Sequence, residues 1–228
     1  AEVGIYGAPY RVLETLATFP FLFVGIVFPI LTHAYAIGDR ERLQRVFQKT
    51  FDVLAMITLP MVAGTLVLAR SMMILIAGDH FSASGPLLQI LIIATGLIFF
   101  GTLFGHLIVV VGLQRRMIFG YAATAIVALT GYLVFIPSYS YWGAAWMTVV
   151  AEGMILCLTA FVSLKALRLT PRFSIFLRAL GASVLMAGGL LLLESHHIIF
   201  LIIIGALFYI MLLFLFRGLS KNLVREIL

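Results

Sequence analysis

Residues 85–111 read GPLLQILIIATGLIFFGTLFGHLIVVV and contain no Asp, Glu, Lys or Arg. A helix needs about 20 apolar residues to cross the hydrocarbon core of a bilayer, so this stretch predicts a transmembrane helix. The rest of the chain is similar, because 63% of its 228 residues are hydrophobic and only 11% are charged. Such composition would make a soluble domain aggregate, whereas lipid solvates it, and we predict an all-α membrane protein.

Outward from this stretch, hydrophobic runs alternate with short polar breaks, and little of the chain remains for a soluble domain. We predict seven transmembrane helices, with ends set by the polar breaks. In chain order they are Tyr10–Tyr35, Phe51–Ile76, Gly85–Val111, Met117–Ile136, Gly143–Leu164, Ser174–Leu193 and Ile198–Phe216.

The polar connections alternate between basic and non-basic along the chain. Lys and Arg occur in 39–49, 115–116, 165–172 and 217–225 and are missing from 78–82, 137–141 and 194–197. Because cytoplasmic loops carry an excess of Lys and Arg, the N-terminus is predicted outside and the C-terminus in the cytoplasm. The net charge of +6 is explained by this pattern and does not indicate a nucleic-acid partner.

A segment at about residues 38–50 has two interpretations. Leu43, Val46, Phe47 and Thr50 recur at helical spacing, with basic residues elsewhere around the helix. One interpretation is a short helix lying in the cytoplasmic interface. The other is a solvated extension of the second span.

Several classes of function have no support in the residues. Cys157 is the only cysteine, which excludes an intrachain disulfide and a cysteine-based metal site. The chain lacks a P-loop and any catalytic constellation, and we predict no enzymatic activity, no cofactor and no bound metal. The chain begins at Ala1 without a methionine or a signal peptide, so we interpret it as a fragment with a missing upstream part.

Glu152 is the most informative polar residue, because it falls near the middle of the fifth span. An ionisable group at that depth costs about 2.5–3.5 kcal/mol on insertion scales and is a functional candidate by default. Its carboxyl group is suited to coupling transport to the movement of H⁺ or Na⁺. The alternative is a neutral carboxyl group that hydrogen-bonds between packed helices.

Five other polar positions are candidates for a substrate or ion pathway. Arg11 and Glu14 lie three residues apart near the outer end of the first span, where they either line a polar cavity or form an interfacial salt bridge. Gln89 and His106 in the third span are either pathway or packing groups. Arg70 in the second span either extends its charged end to the membrane interface or binds a phosphate of the substrate.

Asp52 lies near the cytoplasmic end of the second span and is predicted to mark the membrane interface.

An ordered set of short motifs resembles a known transporter family. EVGIYGAPYR at residues 2–11 precedes FPIL at 28–31, GDHFSASG at 78–85 precedes a Leu-Gln-Ile-Leu run, and Ile136–Pro137 leads into WGAA at 142–145, with Glu152 downstream. Together these are similar to the start of the second lobe in polysaccharide flippases. That family belongs to the superfamily of multidrug and toxin extruders (MATE) and peptidoglycan-precursor flippases.

The resemblance implies an architecture and a function. Residues 1–164 correspond to the second, C-terminal lobe of a MATE-like flippase, and 165–228 correspond to a trailing pair of peripheral helices. The family moves undecaprenyl-diphosphate-linked oligosaccharide across the bacterial inner membrane for surface polysaccharide biosynthesis. Its partners here would be the bilayer, that lipid-linked oligosaccharide, coupling H⁺ or Na⁺ and a missing N-terminal lobe, with Arg11 meeting the diphosphate.

Three alternatives stay open at this point. One is an ion-coupled drug or cation antiporter of the same superfamily. Another is a membrane-embedded polysaccharide polymerase or ligase, which the shortness of the predicted outer loops disfavours. The third is a purely structural membrane subunit, which the mid-span position of Glu152 and the prolines within the spans disfavour.

Overall fold

The computed structural model describes residues 2–193 and 197–216, with side chains from Tyr6 onward. Within these residues the chain is helical and contains no strand. Its helices are α1 (Glu2–Ala36), α2 (Arg40–Ala77), α3 (Gly85–Val110), α4 (Gln114–Leu167), α5 (Ser174–Leu192) and α6 (Ile198–Leu215), with a 3₁₀ turn at Asp79–Ser84. The described residues confirm the prediction of an all-helical chain, and all six helices are long and apolar enough to cross a membrane, as a multi-pass membrane protein requires.

Two predicted connections fall partly or wholly outside the described residues. Glu194, Ser195 and His196 of the predicted outer turn lie there, as do the basic residues Arg217, Lys221 and Arg225. The orientation inferred from the alternation of basic and non-basic connections stays a prediction.

Helix α4 is a hairpin. Its 54 residues would measure about 81 Å as one straight helix, far more than the roughly 30 Å of a hydrocarbon core. The backbone breaks at Ser140, where φ is 50° and ψ is −135°. Gly131 then faces Met147, and Gly120 faces Leu158, so the first arm (residues 114–139) and the second arm (residues 141–167) run antiparallel. The seven predicted spans correspond to five helices and these two arms.

Helix α3 lies at the centre of the bundle and packs against α1, α2 and α4. Its Phe99, Leu103 and Leu107 are almost completely buried, which explains why its sequence is apolar on all sides. Helices α5 and α6 pack chiefly on α2 and on each other. The face of α1 that carries Phe21, Leu22 and other large side chains is exposed.

Residues 40–51 form the first turns of the continuous helix α2. Asp39 caps that helix by accepting a hydrogen bond from the Arg42 backbone N–H at 2.9 Å. Leu43 and Phe47 are buried in the same apolar cluster as residues of α1 and α4. The structure therefore agrees with the extended second span and contains no separate helix over residues 38–50.

Two glutamines fasten the connection between α4 and α5 to α2. The Gln44 side chain donates to the Thr170 carbonyl at 2.9 Å and accepts from the Thr170 N–H at 3.1 Å. One turn later, Gln48 makes the same pair of bonds with Arg172, at 2.9 and 2.8 Å. Each amide thus mimics a peptide group, and we call this arrangement the glutamine clamp. It fixes where the second arm of α4 ends relative to α2.

Candidate functional site

A cluster of hydroxyl groups joins α1 to both arms of α4. The rings of Tyr6 and Tyr10 stack at 5.5 Å between centroids, as their separation by one helical turn allows. Tyr132 of the first arm and Thr148 of the second arm have their hydroxyl oxygens 3.3 Å apart. The Tyr6 hydroxyl is also in hydrogen-bond contact with Thr148. Three tyrosines and a threonine from three helical segments therefore converge.

Glu152 extends this cluster toward the middle of the membrane. It lies one turn below Thr148 on the second arm and interacts electrostatically with Tyr10. It is twelve residues from the tip of the hairpin at Ser140, or about 18 Å at 1.5 Å per residue. Its half-buried carboxylate forms no ion pair with any residue that the structure describes. A carboxylate so deep without a fixed cation is free to bind a proton or a metal ion.

Glu14 and Arg11 lie beside the cluster on α1. Tyr10 interacts electrostatically with Glu14 as well as with Glu152, so both carboxylates lie near Tyr10. Arg11 and Glu14 are both exposed and form no ion pair with each other, so the structure lacks the salt bridge that was one of the two interpretations of this pair. Exposed charges on an apolar helix indicate contact with water, headgroups or a partner rather than with lipid tails.

His106 and Gln89 are packing groups in this structure. The His106 Nδ1 donates to the Thr102 carbonyl at 2.8 Å, and its ring lies edge-on to Phe21 and Phe28 at 5.8 and 5.6 Å. Gln89 donates from Nε2 to the Leu66 carbonyl at 2.6 Å, tying α3 to α2. Neither side chain joins the hydroxyl cluster.

Arg70 also stands apart from the cluster. Its side chain is exposed on α2, close to where that helix approaches the start of α3. A Cβ on Gly85 would lie 2.8 Å from the Arg70 Cα, so the two backbones touch there. This close approach fixes the position of Arg70 but gives it no polar contact with Glu14 or Glu152 among the described residues.

One large hollow does not coincide with the polar residues. It is a groove of about 610 Å³ between α2, α3, the second arm of α4 and α5, and its lining is almost wholly apolar. The Thr58 hydroxyl, which borders it, is buried without a hydrogen-bond partner. Lipid tails suit such a groove, whereas a polar substrate does not.

No protein-family model and no curated protein matches this chain. Of the candidate residues named above, Glu14 and Glu152 both interact with Tyr10 of the hydroxyl cluster and Arg11 follows Tyr10 in the chain, while Arg70, Gln89 and His106 lie elsewhere. Sequence reasoning missed the tyrosines of the cluster. The available signal was the spacing of Tyr6, Tyr10 and Glu14 at four-residue intervals, which places all three on one face of α1.

The described residues offer no ready-made metal centre. Residues 2–193 and 197–216 contain no group of three or more His, Cys, Asp or Glu side chains close enough together to hold a metal ion. A monovalent cation held by Glu152 would need oxygen ligands from hydroxyl groups or water, which the neighbouring tyrosines and Thr148 are chemically able to supply.

Proposed function

We propose that this chain is the second lobe of a flippase that moves undecaprenyl-diphosphate-linked oligosaccharide across the bacterial inner membrane. The supporting observation is the polar cluster of Tyr6, Tyr10, Tyr132, Thr148 and Glu152, which runs into an otherwise apolar bundle. The resemblance of its motifs to polysaccharide flippases supplies the substrate class. In this proposal the N-terminus faces outward and a first lobe completes the pathway.

Each group in the cluster has a role that its chemistry allows. The tyrosine and threonine hydroxyls both donate and accept hydrogen bonds, as sugar hydroxyls require. Arg11, exposed beside them, is suited to the diphosphate because its guanidinium matches phosphate oxygens in pairs. Glu152 is the coupling group, because binding H⁺ or Na⁺ cancels its charge and removes the cost of holding a bare carboxylate at that depth.

We expect the Glu152→Gln variant to lower export of surface polysaccharide about tenfold. Glutamine keeps the size of the side chain but can no longer bind and release a proton or Na⁺, so the coupling step is lost. The measurement is surface polysaccharide in a bacterium that lacks its own flippase and expresses the complete transporter gene. Quantified membrane levels of each variant separate transport from folding.

The matched control is Glu41→Gln, which alters an exposed acidic residue at the start of α2 and should leave export unchanged. Normal export by Glu152→Gln at equal membrane levels would refute the coupling role. Failure of the unaltered gene to restore any polysaccharide would refute the flippase proposal itself.

A cation-coupled drug antiporter of the same superfamily is the second candidate. The observation in its favour is that two carboxylates, Glu14 and Glu152, both interact with Tyr10, because carboxylates beside an aromatic ring are suited to an organic cation. Such a protein would raise the resistance of a drug-sensitive strain to cationic dyes without restoring polysaccharide. The flippase would give the reverse pattern.

A further inference from the structure

Two adjoining hollows lie where the turn between α1 and α2 meets the end of α4. Their volumes are about 430 and 410 Å³, and Arg40, Leu43 and Leu167 line both. Arg45 and Arg168 line the first of them. We call the combined hollow the basic groove. It lies at the opposite end of α4 from the hairpin tip, away from the hydroxyl cluster.

The charges around the basic groove are uncompensated. Arg40, Arg45 and Arg168 are exposed, and none forms an ion pair with any residue in the part of the chain that the structure describes. Glu41 also lines the groove and stands one turn before Arg45, yet these two side chains are not paired. Residues 39–49 and 165–172 together hold seven basic and two acidic residues. Three guanidinium groups around one hollow attract an oxyanion.

The backbone at Arg168 is unusual for an arginine. Arg168 follows the last turn of α4 with φ 52° and ψ 39°, the left-handed conformation that normally selects glycine at the end of a helix. A side chain is unfavourable there because its Cβ approaches the backbone. Such strain tends to be kept at functional sites where the surrounding structure enforces it. The glutamine clamp enforces it here, because Thr170 and Arg172 are both bonded to α2.

The floor of the basic groove is apolar. Leu43 and Leu167 are 3% and 7% exposed, and the groove opens where the apolar helices α1 and α4 end. An oxyanion bound there would sit at headgroup level with hydrocarbon directly beneath it. Basic pockets between transmembrane helices at this level bind the headgroups of anionic lipids.

We propose that the basic groove binds the phosphate of an anionic phospholipid headgroup, with Arg40, Arg45 and Arg168 as its ligands. Arg168 is held in its strained conformation so that its guanidinium closes the groove opposite α2. The clamp makes the groove pre-formed, so little ordering is needed on binding. The groove is therefore selective for a phospholipid whose headgroup carries no cation beside its phosphate over a zwitterionic phospholipid, whose own cation repels the arginines.

The test uses the 228-residue chain in detergent micelles and native mass spectrometry with phosphatidylglycerol as the probe and phosphatidylcholine of identical acyl chains as the comparison. We expect one phosphatidylglycerol to remain bound per chain and no phosphatidylcholine. Arg168→Gly, which relieves the backbone strain and so keeps the fold, should weaken phosphatidylglycerol binding about fivefold. Combining it with Arg40→Gln and Arg45→Gln should weaken binding about a hundredfold.

Arg116→Gln is the matched control, because Arg116 is exposed at the start of α4 and does not line the groove. If it weakens binding as much as Arg168→Gly, the attraction is general and the proposal is overturned. Undiminished binding by Arg168→Gly overturns it as well. Displacement of phosphatidylglycerol by inorganic phosphate at low millimolar concentration would show that the groove recognises phosphate without the lipid and would also overturn the proposal.

Discussion

Replacing Gly143 by alanine should lower the free energy of unfolding by about 3 kcal/mol. Gly143 lies in the first turn of the second arm of α4, three residues past the break at Ser140, and faces Phe135 of the first arm. A Cβ there would lie 2.5 Å from the carbonyl oxygen of Phe135 and 2.7 Å from its carbonyl carbon. These are backbone atoms, which cannot rotate away as a side chain does, so the arms must separate.

Titration with sodium dodecyl sulfate from mild-detergent micelles measures this effect, with helix content followed by circular dichroism. Gly101→Ala is the matched control, since no atom lies within 4 Å of a Cβ built on Gly101. Alanine is the better helix former, so that variant should be as stable as the original protein or slightly more so. Equal stability of the two variants would show that the arms of α4 do not pack as described.

The α4 hairpin also shows which features of the fold the hydropathy pattern of the sequence predicts and which it does not. The polar stretch Pro137–Tyr141 predicted a connection between two spans, and the structure breaks the helix at Ser140, inside it. Hydropathy succeeds here because every span must be apolar over about 20 residues whatever it packs against. It says nothing about which helix is central. Helix α3 is apolar on all sides in the sequence, but so is α6, and only α3 is surrounded by other helices.

The polar residues are less predictable, because their roles depend on contacts between distant parts of the chain. Asp52 was predicted to mark the interface, yet it is only 5% exposed and accepts from Gln48 at 2.8 Å. Gln48 in turn bonds to Arg172, more than a hundred residues away. The neighbouring sequence does not distinguish a glutamine that makes such a long-range contact from one whose side chain is exposed to solvent. Glu152 was identified because the free-energy cost of placing its carboxylate in a membrane depends on its depth along the span, which the sequence gives.

Gln48→Met should lower the free energy of unfolding by about 3 kcal/mol. Methionine fills the same volume but removes three hydrogen bonds, two to the Arg172 backbone and one to the buried Asp52 carboxyl. The two exposed bonds to the Arg172 backbone together contribute about 1 kcal/mol, the bond to the Asp52 carboxyl contributes about 1 kcal/mol more, and that acceptor left buried without its donor costs about as much again. The α4–α5 connection should then detach from α2, which hydrogen exchange at the Arg172 amide measures directly.

Gln44→Met separates the loss of the backbone hydrogen bonds from the loss of the bond to the Asp52 carboxyl. Gln44 makes the same pair of exposed backbone bonds one turn earlier, to Thr170, but no buried carboxyl depends on it. Water replaces exposed bonds at little cost, so this variant should lose only about 1 kcal/mol. Combining Gln48→Met with Asp52→Asn then isolates the carboxyl contact, because the cost of Gln48→Met should shrink once its charged acceptor is gone. If Gln44→Met and Gln48→Met lower the free energy of unfolding equally, the hydrogen bond between Gln48 and Asp52 adds nothing to stability.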